Sequence, residues 1–222
     1  MSAIAHTMPN ARVGPMGIMG LYERTSDQLY LQDGVYSLWS YGVSNPEETR
    51  TFPGKQTYGS HPFYMGKARD NEWFGVYTNL AAAQDWWILN NAETGDVSVR
   101  TAAAGGLGDL FIILAKTPNK VSQIYQEIVG LPVLPPQWAL GWNQCKWGYK
   151  NTEDLQQVLN NYTSHNLPLD AQWSDIDWLD SYKDFTYDPI NFEKLPEFIE
   201  RLHNESKYFI PIIDAGIAQR PN

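Results

Sequence analysis

The stretch AQWSDIDWLDSYKDFTYD, residues 171–188, joins the end of an apolar strand to a segment of alternating acids and aromatic rings. Five aspartates fall in it: Asp175, Asp177, Asp180, Asp184 and Asp188. Carboxylates accept hydrogen bonds from hydroxyl groups, and flat rings offer apolar surfaces to the C–H faces of a sugar. The composition therefore suits a carbohydrate site, although acids at strand ends also cap helices and solvate loops.

Strand and helix patterns alternate on both sides of this stretch. Residues 152–164 have the apolar spacing of a helix with Thr152 as its N-cap, and Pro196 is expected to start another helix. Nearly continuous apolar runs predict three strands, at 138–144, 169–173 and 208–213. Strands of this kind separated by helices indicate βαβ units and a parallel sheet, which opens either a (β/α)8 barrel or a doubly wound sheet.

Polar residues cluster just beyond the end of each predicted parallel strand. Lys146 and Trp147 follow the first strand, Asp175 the second and Asp214 the third. The carboxyl ends of barrel strands form the face that carries active sites. We therefore expect the functional side chains of this half of the chain to meet at one edge of the sheet.

The preceding half has a different pattern, with short aromatic and β-branched runs divided by turn residues. These runs predict antiparallel strands at 28–31, 35–39, 62–65, 73–78, 86–89, 97–101 and 109–115, as in a β-sandwich. No clear period is present in residues 1–20. The glycine-rich segment 105–108 is interpreted as a turn because no helix follows it. Thr117 and Pro118 are expected to start a helix that ends at Gly130, and the proline-rich segment 131–136 is predicted to be a stiff linker.

Composition excludes several classes of function. The chain has 222 residues, 43% of them hydrophobic, and a formal net charge of −9, which disfavours binding to nucleic acids or anionic membranes. No apolar run is long enough to span a membrane. The four histidines form no metal-binding pair, and no GxSxG nucleophile motif occurs. The single cysteine, Cys145, is interpreted as a buried strand residue, and neither a metal nor a cofactor is expected.

Eight short motifs occur together and in order from about Asp33 onward. They are YSLW at 36–39, YGSHPFY at 58–64, TP at 117–118, LPPQWALG at 134–141, QCKWGY at 144–149, DIDW at 175–178, KDFT at 183–186 and IDAGI at 213–217. On these motifs the sequence resembles glycoside hydrolase family 31, the family of α-glucosidases. The resemblance covers most of the chain.

The resemblance implies a fold with two parts. Residues 1–130 are expected to form an antiparallel, galactose-mutarotase-like β-sandwich, and residues 131–137 the proline-rich linker. Residues 138–222 are expected to form the first three βα units of a (β/α)8 TIM barrel. The barrel is incomplete and the sandwich lacks its first strands, so we expect the sequence to be an internal fragment.

The family also implies an activity and a set of contacts. The activity is retaining hydrolysis of α-linked glucose at the non-reducing end of an oligosaccharide or glucoside. Asp175 is expected to accept hydrogen bonds from the hydroxyls of the glucose in the −1 subsite. Trp147, Ile176 and Ile212 are expected to form the apolar wall around the ring, and Asp214 is a further candidate. The remaining partner would be the rest of the barrel.

Two departures from the family pattern bear on function. The family's nucleophile lies in a Trp-x-Asp-Met-Asn-Glu motif that this sequence lacks, so both the nucleophile and the general acid are expected beyond Asn222. In the loop after Trp39, α-glucosidases usually carry an aspartate that reaches the sugar, whereas this sequence has Ser40, Tyr41 and Gly42. The segment alone is expected to be inactive, and strict glucose specificity is in doubt.

Two alternatives stay open at this point. One is a non-catalytic carbohydrate-binding or scaffold subunit, and the other is a segment of a related α-xylosidase or α-glucan lyase. Localisation is not determined by the sequence. The resemblance and two glycosylation sequons, at Asn161 and Asn204, favour a secretory, lysosomal or extracellular compartment.

Overall fold

The structure is a computed structural model that describes residues 13–24, 26, 28–40, 56–68, 70–214 and 216. It divides the chain into two compact units, Met1–Leu131 and Pro132–Asn222. Each unit has a core of its own.

The first unit contains two antiparallel sheets. Its strands are β1 (Val13–Gly20), β2 (Gly34–Leu38), β3 (Phe63–Ala68), β4 (Trp73–Asn79), β5 (Gln84–Asn90), β6 (Val97–Ala103) and β7 (Asp109–Ala115). One sheet has the order β1-β3-β4-β7 and the other the order β2-β5-β6. Alternate residues of both sheets, among them Tyr64, Val76, Trp86 and Ile88, enter one shared core. The rings of Tyr64 and Trp86 meet edge to face with their centroids 5.9 Å apart.

Helix α1 (Pro118–Val129) covers the other face of the four-stranded sheet. Thr117 caps it, because its side chain accepts a hydrogen bond from the backbone N–H of Lys120. Tyr125 stacks on Phe63 at a centroid distance of 4.3 Å, and Val121 is fully buried. Gly75 lets the helix approach, since a Cβ there would lie 2.7 Å from a methyl carbon of Val121.

Six of the seven strands predicted for this unit match β2–β7 within a few residues. The prediction at 28–31 was wrong, because the backbone bends there and forms no regular ladder: Gln28 N donates to Ser26 Oγ, whereas Leu31 N donates to Ile18 O of β1. The sequence pattern missed β1. That strand contains glycine and proline and a register irregularity between Val13 and Ile18, which together hide the alternation expected of a strand.

The second unit contains a parallel sheet of three short strands, β8 (Asn143–Gln144), β9 (Ala171–Ser174) and β10 (Tyr208–Pro211). β9 lies in the centre, and both neighbours run parallel to it. Helix α2 (Thr152–Ser164) connects β8 to β9, and helix α3 (Leu195–Asn204) precedes β10. The parallel βαβ prediction is therefore confirmed for these residues.

The core of the second unit lies between the sheet and its helices. Leu155 and Leu159 of α2, and Phe198 and Leu202 of α3, are buried there together with Phe192. These residues follow the helical spacing that the sequence predicts for inward faces. None of the helices among the described residues is long and apolar enough to cross a membrane.

Three local predictions for this unit were wrong. Only Asn143 and Gln144 of the segment 138–144 are in a strand. Gln137–Leu140 forms a 3-10 turn after Pro136. The backbone N–H of Trp142 donates a hydrogen bond to the side chain of Asp170. The N-cap of α2 is Asn151, whose side chain accepts from Asp154 N, and not Thr152. Helix α3 begins one residue before Pro196.

Candidate functional site

The carboxyl ends of the three parallel strands coincide at one edge of the sheet. In the register of the sheet, Gln144 pairs with Gln172, and Ser174 pairs with Pro211. The residues that follow these pairs begin three loops at the same edge, which carry Trp147, Asp175 and Asp214. Ile212 N donates to Ser174 O over 2.9 Å, which brings Ile212 beside the start of the Asp175 loop.

Asp175 is the first residue of its loop and is half-buried. It caps a short 3-10 turn, Ile176–Trp178, because its Oδ1 accepts from the N–H of Ile176 at 2.7 Å. Among the hydrogen bonds found for the described residues, its other oxygen, Oδ2, has none. The backbone thus fixes the carboxylate in place and leaves one acceptor oxygen for another group.

Asp177 joins this loop to the loop that carries Trp147. Its Oδ2 accepts from the backbone N–H of Gly148 at 2.8 Å, across 29 positions of sequence. Gly148 has φ +102°, a conformation that favours glycine. Trp147, directly before it, is 68% exposed. The Asp177 contact therefore positions the backbone next to an indole ring that is accessible to a ligand.

The third loop is tied to the second by two further hydrogen bonds. Trp178 Nε1 donates to Ile212 O at 3.0 Å, and Asp214 N donates to Asp184 Oδ1 at 3.1 Å. Asp214 is exposed, and Asp184 is half-buried. Asp184 thus holds the backbone at the end of β10.

The other two aspartates of the loop bind within it. Asp188 accepts from the side-chain amide of Asn191 and from the backbone N–H groups of Asn191 and Ile190, and these hydrogen bonds lower the pKa of its carboxyl group below the usual value. Asp180 Oδ1 accepts from the hydroxyl of Ser181. These acids organise the loop backbone.

A chain of side-chain hydrogen bonds lies beneath β8, on the side of the helices. Trp142 Nε1 donates to Tyr162 Oη at 2.7 Å, Tyr162 Oη donates to Gln144 Oε1 at 2.5 Å, and Gln144 Nε2 donates to Tyr149 Oη at 2.9 Å. Tyr149 and Gln144 bracket the segment that contains Trp147. This series of hydrogen bonds therefore anchors both ends of the Trp147 loop to helix α2.

Cys145 directly follows β8 at the same edge and is exposed, so the prediction that this cysteine is buried in a strand was wrong. The pKa of its thiol is raised above the ordinary value, first by partial burial and second by the negative charge of Asp175. The described residues contain no cluster of histidine, cysteine or acidic side chains that would hold a metal ion.

Comparison with known proteins identifies the family. Residues 132–222 match the model of the glycosyl hydrolases family 31 TIM-barrel domain. Glucoamylase 1 of Schwanniomyces occidentalis is 40% identical over 203 residues, which are 90% of this chain and 20% of that protein. Residues 132–222 belong to glycoside hydrolase family 31.

Further relatives and solved structures agree with family 31. The lysosomal alpha-glucosidase of Mus musculus is 32% identical over 208 residues, covering 90% of this chain and 20% of that protein. The family 31 alpha-glucosidase from Bacteroides thetaiotaomicron superimposes with a TM-score of 0.75 at 26% identity, covering all of this chain and 35% of that structure. The glucosidase II alpha subunit has the same fold over 96% of this chain and 24% of that structure, with a TM-score of 0.74 at 23% identity. The chain thus spans about a fifth of the length of these two sequence relatives.

Of the residues that the family 31 resemblance singles out, Asp175, Ile176, Ile212 and Asp214 lie at the end of β9 or β10, and Trp147 lies in the loop after β8. Gly42, the departure in the sandwich loop, lies outside the described residues. Sequence reasoning missed the positioning contacts of Asp177 and Asp184. No spacing rule signals them, because each joins two loops that are far apart in the sequence.

Proposed function

We propose that this chain is the sugar-holding part of a retaining α-glucosidase-type glycoside hydrolase that acts on α-linked glucose at the non-reducing end of oligosaccharides. Family membership supports the class of reaction, since relatives at 32–40% identity are named alpha-glucosidase or glucoamylase. The single observation that carries the proposal is the Asp175 carboxylate, held by its own loop backbone at the carboxyl edge of a parallel sheet. In TIM barrels that edge is the active-site face.

The proposal includes an assignment of domains. Residues 1–130 are a galactose-mutarotase-like sandwich, residues 131–137 a linker, and residues 138–222 the first three βα units of a (β/α)8 barrel. The two facing antiparallel sheets support the first assignment, and the parallel order β10-β9-β8 supports the last. In this arrangement the strands β8, β9 and β10 direct their following loops toward a common pocket.

Asp175 has the chemistry needed to hold a glucose hydroxyl. A carboxylate oxygen that accepts from a sugar O–H makes a charge-assisted hydrogen bond, which is stronger than one between neutral groups. One oxygen is occupied by the Ile176 N–H, so the orientation of the carboxylate is fixed before the sugar arrives. This pre-organisation reduces the entropy lost on binding.

Apolar contacts complete the proposed −1 subsite. The exposed indole of Trp147 offers a flat surface to the C–H groups of a pyranose, and Ile176 and Ile212 flank the carboxylate along the chain and across the sheet. We include Asp214 as a further contact, because it is exposed at the end of β10 and its backbone is fixed by Asp184.

The catalytic carboxylates are, in this proposal, not among the 222 residues of the chain. A retaining glycosidase needs a nucleophile and a general acid about 5–5.5 Å apart on either side of the scissile bond. We do not assign Asp175 and Asp177 as that pair, because the family motif that carries the nucleophile, Trp-x-Asp-Met-Asn-Glu, does not occur in the sequence. The role of these residues is to orient the sugar for attack by the missing nucleophile.

Ligand binding and turnover test this proposal together. We expect the 222-residue chain to bind methyl α-D-glucoside weakly, in saturation-transfer NMR, and not to hydrolyse p-nitrophenyl α-glucoside. The Asp175→Asn variant should lose the binding, and Glu200→Gln, an exposed position on α3, should keep it. Turnover by the pure chain would contradict the assignment of the catalytic residues, and equal binding by both variants would contradict the role of Asp175.

A second candidate activity differs in the sugar that fills the subsite. Residues 40–42 replace the aspartate that α-glucosidases usually present from the sandwich loop, and this keeps an α-xylosidase or an α-glucan lyase open as an alternative to a strict glucosidase. Methyl α-D-xyloside distinguishes the xylosidase, because it lacks the hydroxymethyl group. Binding at least as tight as that of the glucoside would support it. A non-catalytic carbohydrate-binding subunit is supported instead if no catalytic motif follows in the coding sequence.

A further inference from the structure

The second unit contains two short motifs that begin with asparagine, NYT at 161–163 and NES at 204–206. An asparagine, any residue except proline, and then a serine or threonine form the acceptor pattern for N-linked oligosaccharides. The oligosaccharide is bulky and hydrophilic, so an acceptor that is used lies at the surface of the folded protein. The space that the fold leaves around each asparagine therefore separates an acceptor site from a chance match.

Both asparagines lie on the outer face of a helix. Asn161 comes two positions after Leu159 in α2, and Asn204 comes two positions after Leu202 in α3. Both leucines are fully buried in the core of the second unit. Two positions turn a helix by about 200°, so each asparagine points away from that core. Both asparagines are accordingly exposed.

The side-chain amides of Asn161 and Asn204 have no hydrogen-bond partner among the described residues. Asn160, the residue before Asn161, is exposed as well, but its Oδ1 accepts from Nη2 of Arg201 at 2.9 Å. That hydrogen bond joins the outer faces of α2 and α3. The two asparagines that begin the motifs can thus carry a substituent without the loss of a contact.

The two asparagines also lie at the same edge of the parallel sheet. Asn161 is in the last turn of α2, which leads to β9, and Asn204 ends α3, which leads to β10. The segments after the two helices meet, because Tyr208 N, at the start of β10, donates to the carbonyl oxygen of Asp170, directly before β9. A helix between parallel strands returns the chain from their carboxyl edge to their amino edge. Both asparagines therefore lie at the amino edge, opposite to the carboxyl edge that carries Asp175.

The geometry of α2 determines when the motif at 161–163 is accessible to an enzyme. Thr163 Oγ1 donates to Leu159 O at 3.0 Å, a hydrogen bond within the helix. The side chains of Asn161 and Thr163 point about 200° apart around the helix axis. An enzyme that binds the amide and the hydroxyl together therefore has to act before α2 forms, while the chain is being synthesised. The folded protein then only has to accommodate the oligosaccharide.

We infer that Asn161 and Asn204 are acceptor sites for N-linked oligosaccharides, which are added as the chain is made in the secretory pathway. In this step Nδ2 of the asparagine forms a bond to the anomeric carbon of an oligosaccharide that is carried on a lipid pyrophosphate. The bond between that carbon and the pyrophosphate oxygen breaks, the lipid pyrophosphate leaves with the electron pair, and the amide releases one proton. The inference does not rest on the proposed function.

The test is translation of the 222-residue chain, behind a cleavable secretory leader, in a cell-free extract with endoplasmic-reticulum microsomes. Each oligosaccharide slows the chain on a denaturing gel, and peptide N-glycosidase F reverses the shift. Release in oxygen-18 water converts a modified asparagine into labelled aspartate, which peptide mass spectrometry locates. Asn161→Gln and Asn204→Gln each remove one acceptor. Asn160→Gln is the matched control, because Asn160 is exposed beside Asn161 and has no serine or threonine two positions later.

We expect two oligosaccharides on the unmodified chain and on Asn160→Gln, one on each single acceptor variant, and none on the variant that lacks both acceptors. Thr163→Ser keeps the motif and should keep both oligosaccharides, whereas Thr163→Val should lose the one at Asn161. Addition precedes folding, so a variant that folds poorly still gives a result. Fewer than two oligosaccharides on the unmodified chain or on Asn160→Gln, or any on the double variant, would overturn the inference.

A second measurement tests whether the folded chain accommodates both oligosaccharides. Endoglycosidase H trims each oligosaccharide to its first sugar in the chain purified after secretion. Because both asparagines face outward, we expect this trimming not to raise the melting temperature of the chain. A higher melting temperature after trimming would mean that the oligosaccharides strain the fold, and it would overturn the assignment of these asparagines as acceptor sites.

Discussion

Asp175 and Asp177 lie two positions apart and have different tasks. Asp177 binds within the protein, since its Oδ2 accepts a hydrogen bond from the backbone N–H of Gly148. Asp175 keeps one oxygen that no described residue occupies. The difference follows from the local backbone, because Asp175 begins a 3-10 turn and Asp177 lies inside it. In the proposed function, Asp175 therefore contacts the sugar, whereas Asp177 organises the loops.

We expect the reactivity of Cys145 to depend on the charge of Asp175. The negative charge disfavours the thiolate and contributes to the raised thiol pKa. Asp175→Asn removes this charge, so the thiol pKa should fall and the thiolate fraction at pH 7–8 should increase. We expect iodoacetamide to alkylate the only cysteine a few times faster in Asp175→Asn than in the unmodified chain. Asp180→Asn is the control, and an equal acceleration there would contradict a specific effect of Asp175.

The Asp177 contact can be tested by hydrogen exchange at the amide it holds. Asp177→Ala removes the acceptor of the Gly148 N–H, so this amide should exchange at least about tenfold faster, as expected for the loss of about 1.4 kcal/mol of protection. Asp177→Asn keeps an acceptor oxygen, so its Gly148 amide should exchange at a rate between those of the unmodified chain and Asp177→Ala. Unchanged exchange at Gly148 in Asp177→Ala would mean that another group fixes the Trp147 loop.

At the scale of elements, helix α2 is positioned by its first residues. Asn151 is the N-cap, and Thr152 is buried behind it with a hydroxyl that has no partner among the described residues. The one-residue shift from the predicted cap matters, because α2 carries Tyr162, which anchors the Trp147 loop from below. The start of the helix therefore affects the candidate site through the chain of hydrogen bonds under β8.

Paired substitutions determine which residue caps α2. Asn151→Ala should lower the free energy of unfolding by about 1 kcal/mol, because the Asp154 N–H loses its acceptor. Thr152→Val should be neutral or stabilising, because it replaces an unpaired buried hydroxyl by a methyl group of similar size. Urea unfolding followed by circular dichroism measures both. The reverse order of the two effects would assign the cap to Thr152.

At the scale of the whole molecule, sequence patterns predicted the elements better than their contacts. Long periodic segments such as α1 and β4–β7 were correct, since their residues repeat with the period of the structure. The pattern failed where tertiary contacts decide. Strand β8 has only two residues, since the side chain of Asp170 accepts a hydrogen bond from the backbone N–H of Trp142 just before it. The hydrogen bonds from Gly148 to Asp177 and from Asp214 to Asp184 join loops that share no sequence motif.

The assignment of a linker at 131–137 can be tested by proteolysis. This segment has no regular structure before Gln137, and Val133 is 89% exposed. We expect elastase at low concentration to cut first after Val133, because an accessible, irregular backbone fits a protease site while strands and helices do not. Initial cleavage within β2–β7 or within α2 would contradict the assignment.

The most direct test of the central claim, that Asp175 holds the sugar, is calorimetric titration with the iminosugar 1-deoxynojirimycin. The ligand has the shape of glucose and carries an ammonium group, so a carboxylate should bind it through charge-assisted hydrogen bonds. The account predicts saturable binding by the chain, at least about tenfold weaker binding by Asp175→Asn, or about 1.4 kcal/mol, and no change for Glu200→Gln. Equal affinity of the chain and Asp175→Asn would contradict it.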